Sequence, residues 1–424
     1  MKQQCFSTDA SDNTPVIIGI DWADRQHDAC VIDKDVVKLE TFQHDPEAIA
    51  KWVDQLRQKF PHRPLLLAIE QSRGALVHAL QEADGIQIYP VNPKQLARYR
   101  EAVYPAGGKS DPRDAQLLAT FLLHHREQLR LWQPDTVETR RLAYLSQLRR
   151  KLVEERKSLG LRLESTLKLY FPSVLTLFQK TTISEFMGDL LDRWATLEQL
   201  QRAHPKALRH FFDKHGIRDE DRQTKLIDAI RSATPLTRDD ALISTHALFV
   251  KSIARQIAET NRGVAEFEEE LRRCVAQHPD EALFRALPGA GDALVPRLIA
   301  AFGSDRERYQ SAEDIQNYSG IGPVTKRSGQ SCSVHQRFAC PKFLKQTFHE
   351  FADHARRWSA WSRAYYDLKR SQGMKHNAAV RALAFKWIRI MFRLWKTRSI
   401  YSEDAYLAQL HQKGSPLIPF LQKN

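Results

Sequence analysis

Cysteine is scarce and unpatterned in this chain. Cys5, Cys30, Cys274, Cys332 and Cys340 are scattered over 424 positions, with no C-x-x-C pair. An odd, dispersed set indicates neither a zinc site nor a disulfide framework; these read as buried or incidental thiols. No apolar run reaches the roughly 18 to 20 residues of a membrane-spanning helix. No internal repeat or low-complexity tract interrupts the chain. The opening MKQQCFSTDASDNTP lacks the apolar core of a secretory signal. Residues 1–14 are therefore expected to be a disordered lead, and the protein intracellular.

What is present is a length fit for two or three domains at roughly 150 residues each. A 42% hydrophobic, 27% charged composition suits a globular protein with a core. The net charge of +13 and sequence pI near 9.5 favour a polyanionic partner through phosphate contacts and counterion release. Charge alone distinguishes neither DNA from RNA nor an enzyme from a binder.

Residues 15–131 alternate strand and helix. VIIGID (16–21), DACVID (28–33) and VVKLETF (36–42) predict an antiparallel three-strand opening, with a tight turn at Lys34–Asp35. EAIAKWVDQLRQKF (47–60) has helical period, PLLLAIE (64–70) reads as a buried strand, and GALVHALQEAD (74–84) and IQIYPVN (86–92) as helix and strand. YPAGG (104–108) is expected as a flexible loop, before a helix from Asp111. This order predicts a ribonuclease-H-like α/β domain.

Residues 134–280 are long, charged and helical, without strand signals. Val250, Ile253, Ile257, Thr260, Val264, Phe267, Leu271 and Cys274 repeat at 3-4 spacing, a coiled-coil seam. With an earlier helix at about 136–170, this predicts an antiparallel hairpin or a dimerisation arm; a helix packed on its own chain explains the seam equally. The stretch 171–240 is polar, carries Pro172, Pro205 and Pro235, and yields no assignment. Residues 281–424 form a third, helix-rich unit.

Four carboxylates invite attention. Asp21 and Glu70 each end a strand, and Asp111 and Asp114 share a face where a helix begins. Hard divalent cations need convergent oxygen ligands, and two such ions about 3.5–4 Å apart serve phosphodiester chemistry. Asp24 and Asp28 compete with Asp21 but lie past its strand. The bland alternative is that Asp111-Pro112-Arg113-Asp114 is only a helix start, with Asp111 as N-cap. In Leu287-Pro288-Gly289-Ala290-Gly291, Gly289 and Gly291 allow a tight turn whose N–H groups meet a phosphate, as in a helix-hairpin-helix, or form an ordinary helix–helix turn. GIGPVTKRSGQSCSVHQR (320–337) reads as a basic loop in which Lys326, Arg327 and Arg337 could flank Ser328 as a phosphate-attacking nucleophile. Ser331 is its neighbour in that role, and a solvated turn serine is the alternative. Arg149, Arg150, Lys151, Arg156, Lys157 and Arg162, with Arg381, Lys386, Arg389, Arg393 and Lys396, could track phosphates. Phe385, Trp387 and Trp395 read as core before base-stackers.

The stretches GIDWADRQHDA, LLAIEQSRG, VNPKQLARYREA, GGKSDPRDAQLLA, LPGAGDALVPRLIAAFG and YSGIGPVTKRSGQS resemble the DEDD transposases of bacterial insertion sequences, a family that includes Piv-type DNA invertases. VHQRFACPKFLKQTFHEFADHARRWS resembles one subgroup. The resemblance covers the first and last thirds of the chain. It implies a RuvC-like domain, a coiled coil and a C-terminal transposase domain. It implies that Asp21, Glu70, Asp111 and Asp114 are the magnesium-binding D-E-D-D set, for two ions, and that Ser328 is the serine nucleophile. It further implies donor and target DNA, an element-encoded guide RNA, a homodimer or homotetramer with a composite site, and a cytoplasmic, nucleoid-associated location. The chain departs from the family at 171–240 and after the serine, where VHQRFACPK replaces the usual I-S-K-x-G-N run.

Overall fold

A computed structural model describes residues 14–70, 74–81, 83–105, 110–329 and 331–421. The expected lead at 1–14 lies, but for Thr14, outside these residues, as do positions 106–108 of the expected loop. The chain divides into two compact units at Pro134–Asp135.

The first unit is a five-stranded sheet ordered β3-β2-β1-β4-β5. Strands β1 (Val16–Asp21), β2 (Gln26–Asp33) and β3 (Val36–Gln43) are antiparallel neighbours. Asp33 pairs with Val36, so Lys34–Asp35 is a two-residue turn, and Lys34 takes φ 53°, as a turn matched to strand twist requires. After α1 (Pro46–Lys59), β4 (Leu65–Ile69) runs parallel to β1. Helix α2 (Ala75–Gln81) leads to β5 (Ile86–Pro90), parallel to β4. β1 and β4 are continuous apolar runs because both faces are covered. Ile18, Ile20 and Leu67 face a core with Trp52 and Leu56 of α1, while Ile17, Cys30, Leu66 and Ala68 face one with Leu118 and Leu122.

That second face is covered by α3 (Pro93–Val103) and α4 (Asp111–His125). Apolar period alone did not reveal α3. Its signal is local: the Asn92 side chain accepts from the Lys94 N–H at 2.9 Å, and Pro93 opens the first turn. Gly19 explains how close α4 sits. A Cβ there would lie 2.1 Å from the Ala115 carbonyl oxygen and 2.3 Å from the Ala119 nitrogen, so the helix backbone rests directly on β1.

The second unit is built on two long helices, α5 (Val137–Tyr170) and, beyond five short ones, α11 (Asp240–Ala276). They pack antiparallel. Thr139 bonds His278 at 2.9 Å, Arg149 bonds Glu268, and Arg156 bonds Asn261 at 3.0 Å, so residue numbers fall on one helix as they rise on the other. The apolar seam of α11 is thus covered by the chain's own α5. The unassigned stretch folds into α6 (Ser173–Phe178), α7 (Glu185–Arg193), α8 (Leu197–Arg202), α9 (Pro205–Lys214) and α10 (Glu220–Ser232). Phe178, Phe186, Trp194 and Phe212 form a separate core there with Leu163, Leu167, Val250 and Ile257. Prolines that break one long period thereby mark separate short helices.

The remainder comprises α12 (Glu281–Arg285), α13 (Val295–Phe302), α14 (Ala312–Tyr318), α15 (Lys342–Trp358), α16 (Ala360–Ser371), α17 (His376–Thr397), α18 (Glu403–Gln412) and α19 (Ile418–Leu421). They enclose Trp361, Trp387 and Trp395, all fully buried. The indole N–H of Trp387 donates to Ser362 Oγ at 3.0 Å, and that of Trp395 to the Gly303 carbonyl at 3.1 Å. These tryptophans are core. One expectation is corrected: 320–337 is not a simple loop, since Val324–Ser328 (β6) and Ser331–His335 (β7) pair as an antiparallel hairpin. Strand pairing serves the backbone groups of this polar segment, which period-2 apolar patterning could not signal.

Among the described residues, no helix is long and apolar enough to cross a membrane.

Candidate functional site

Asp21 is the last residue of β1, and Glu70 follows β4 directly. The strands are parallel neighbours with Ile20 opposite Ile69. The two acids therefore leave adjacent strand ends, in strands roughly 4.8 Å apart. Side chains alternate along a strand, so Asp21 shares the face of Gly19, which α4 covers. Asp28 stands opposite Asp21 in the β1–β2 register. It is not past the strand, as the sequence suggests, but within β2 on this same face. The Asp28 carboxyl is held above its ordinary range by burial and then by the negative charge of Asp111. Asp111 therefore acts on the same strand edge.

The helix-start reading of Asp111 needs correction. Ser110 is the N-cap of α4, without a side-chain capping bond, and Asp111 is the first helical residue with Pro112 behind it. The Asp111 carboxylate does not cap the helix. Asp114, one turn on, is 4% exposed. It is gripped by Arg100 of α3, whose Nε and Nη2 reach Oδ1 at 3.0 and 2.8 Å. Arg100 is absent from the residues singled out in the sequence; the Asn92–Pro93 helix start was the signal that could have found its helix.

Among the described residues, no three acids, histidines or cysteines close into a ready-made metal cluster. The donors nonetheless fit a hard divalent ion. All are carboxylate oxygens, and the opposition between Asp28 and Asp111 is the surplus negative charge that a cation relieves.

Ser328 closes β6 in the second unit and is exposed. It pairs with Ser331 across the hairpin turn, where Gly329 takes φ 55°. Directly opposed residues share a face, so Ser328, Ser331, Lys326 and Ser333 line one side of the hairpin and Arg327 lies on the other. Ser333 and His335 are joined at 2.9 Å on that first side. Lys326 and Arg327 are exposed. Arg337 is anchored instead, donating to Asn317 Oδ1 at 3.1 Å.

The two glycines of the 287–291 turn differ. Gly289 takes φ 77°, and a Cβ there would meet the Trp358 ring at 3.0 Å and the His354 carbonyl carbon at 3.1 Å. It allows close packing on α15. Nothing lies within 4 Å of a Cβ at Gly291. On the basic helices, Arg149, Arg150 and Arg156 are engaged within the chain by Glu268, Glu154 and Asn261, and Lys386 lies over the Trp361, Tyr365 and Tyr406 rings. Lys157, Arg162, Arg389 and Arg393 are exposed.

Comparison with known proteins gives a consistent answer. Residues 18–172 match the DEDD transposase model of the IS110 type, and residues 281–367 the transposase family IS116/IS110/IS902. A protein of Streptomyces coelicolor named as a mini-circle transposase for IS117 is 26% identical over 412 residues, 95% of this chain and 99% of the relative. The insertion element IS116 44.8 kDa protein of Streptomyces clavuligerus is 23% identical, covering 91% and 96%. The insertion element IS900 42 kDa protein of Mycobacterium paratuberculosis is also 23% identical, over 91% and 97%. The two models fall on the strand-edge acids and on the unit that bears the hairpin serine, and so the chain belongs to the IS116/IS110/IS902 family of DEDD transposases.

Proposed function

We propose that this transposase moves an insertion sequence by serine-dependent cutting and rejoining of DNA. The observation that supports the reading is that Asp21 and Glu70 leave adjacent parallel strand ends, on a sheet face covered by the helix that Asp111 opens. Asp21, Glu70, Asp111 and Asp114 are the residues to hold Mg²⁺, two ions in the fullest form. Bound there, the ions supply charge stabilisation at a scissile phosphate.

The chain's own residues do the rest. The Ser328 hydroxyl attacks the scissile phosphorus; a serine O–P ester forms as the phosphorus–deoxyribose O bond breaks. The serine proton is released and the departing deoxyribose oxygen takes one up. Attack on the ester by a deoxyribose hydroxyl rejoins DNA and frees Ser328, so bond energy is conserved. Lys326 shares the serine's face of the hairpin and offsets phosphate charge there, while Arg327 offers its charge from the opposite face. The seat of Ser328, at a hairpin end beside Gly329, allows close approach of a bulky backbone. Ser331, directly opposite, is the competing hydroxyl.

The net charge of +13 suits nucleic acid of either kind; the family resemblance is what makes an element-encoded structured RNA that pairs with donor and target DNA part of the reading. A homodimer or homotetramer is the assembly that goes with this reading.

The test is Ser328→Ala on a suicide DNA substrate. We expect no recombination and no covalent protein–DNA adduct, with DNA binding retained. Full recombination in that variant refutes the serine role. Cleavage by the wild-type protein without any adduct would instead indicate attack by water.

A further inference from the structure

Asp114 is a buried carboxylate, and a buried charge is costly unless paired and hydrogen-bonded. Its pairing is one-sided: Arg100 Nε and Nη2 both reach Oδ1, at 3.0 and 2.8 Å. The Nε–H donates to Oδ1 and Nη2 stands 2.8 Å from the same oxygen as its ion-pair partner, so the guanidinium holds the carboxylate through Oδ1.

Arg100 is itself rigidly mounted. Its helix α3 is started by the Asn92 cap and packed on α4 through Leu96, which shares a core with Leu118 and Phe121, and through the Tyr99 and Phe121 rings at 5.0 Å. The Arg100 side chain is about one quarter exposed, so the pair is held by structure and not left to solvent.

We infer that Arg100 is a positioning residue for the metal site: it locks Asp114 through Oδ1 so that Oδ2 is the oxygen presented to the divalent ion. This rests on the reading of Asp114 as a metal ligand. Carboxylates that ligate metals are commonly oriented by hydrogen bonds from behind, and loss of such a partner typically weakens metal affinity about 10–100-fold. Without Arg100, the buried carboxylate loses its hydrogen bond and its partner cation and turns towards water. Lysine retains the charge but not the paired donors of the guanidinium.

The test is Mn²⁺ binding to the full chain, read by electron paramagnetic resonance of the free ion, for wild type, Arg100→Gln, Arg100→Lys, Asp114→Asn and the double variant R100Q/D114N. Thermal unfolding of each variant runs in parallel. We expect Arg100→Gln to weaken Mn²⁺ binding about 10–100-fold, Arg100→Lys to fall between, and the double variant to match Asp114→Asn alone. Unchanged or tighter Mn²⁺ binding in Arg100→Gln, beside weakened binding in Asp114→Asn, overturns the inference. So does an Arg100→Gln protein in which only the melting temperature falls. Should Arg100→Gln fail to fold, Arg100→Lys decides: affinity equal to wild type overturns the inference. Wild-type affinity in Asp114→Asn overturns instead the assignment of Asp114 as a ligand.

Discussion

Gly19→Ala is the most searching single substitution in the first unit. The added methyl carbon would sit 2.1 Å from the Ala115 carbonyl oxygen and 2.3 Å from the Ala119 nitrogen, whereas ordinary contact begins at 3.4 Å. About 1.3 Å of separation must be found, and both obstacles are backbone atoms of α4 with no rotamer to yield. Either β1 bends or the helix lifts. Overpacking of this kind costs about 1–3 kcal/mol, and backbone obstruction argues for the upper end. The displaced helix carries Asp111 and Asp114, the acids proposed to hold the metal, and a misplacement of about 1 Å at such a site can cost roughly 100-fold in rate. Denaturant titration followed by Trp22, Trp52 and Trp132, the tryptophans of the first unit, should show a lower midpoint. Cleavage of a labelled element end should fall about 100-fold. A G19A protein as stable and as active as wild type would refute the idea that helix–strand contact sets the position of the acids.

Other expectations are independent of that contact. Asp135→Ala removes a half-buried carboxylate that pairs with Arg308 and accepts from the Ser304 N–H at 3.0 Å; the loss, about 1–3 kcal/mol for hydrogen bonds to a charged group, should appear as a lower melting temperature, and an unaltered one would contradict it. Gly289→Ala should destabilise by about 1–2 kcal/mol, from the left-handed backbone and the α15 contact, while Gly291→Ala should leave melting unchanged and reveal in a DNA-binding assay any role in phosphate contact. His27 is buried, and desolvation first and the His44 ring second push its pKa down from 6.5 to about 4. The unfolded chain gains that proton near pH 6.5 and the folded chain only near 4, so stability is lost as pH falls through this window, by up to about 3 kcal/mol. Denaturation midpoints at pH 7 and 4.5 should differ less in His27→Gln; an identical acid slope in both proteins would count against it.

Much of the first unit was legible because its strands are short apolar runs ended by polar turns. Lys34–Asp35, the order of strands and the strand-end positions of Asp21 and Glu70 all follow from that punctuation. Helix α3 escaped because its apolar stripe is thin: Leu96 is its one buried residue, and hydrophobic period is silent where a helix lies half in solvent. Arg100 was lost with it. The role of Asp28 depended on register, since a pair opposed across two strands leaves no mark in linear spacing. The hairpin around Ser328 was missed because β6 and β7 are polar and exposed, so their pairing satisfies backbone groups without an apolar face to announce it. The short helices between Ser173 and Ser232 bury their aromatics against one another, a long-range arrangement that no window of local sequence contains.

The paired helices α5 and α11 meet again at their far end, where the Tyr170 and His246 rings lie 6.2 Å apart. Everything between those residues leaves and returns through one narrow doorway. Loop-closure entropy grows only slowly with the length of what is inserted at such a point. The inserted helices nonetheless fold back along the stem, where Asn261 donates to the Ile183 carbonyl at 3.1 Å and Thr182 to the Gly160 carbonyl at 3.1 Å, so an insert that costs little to close is held to one register by the helices it grew from.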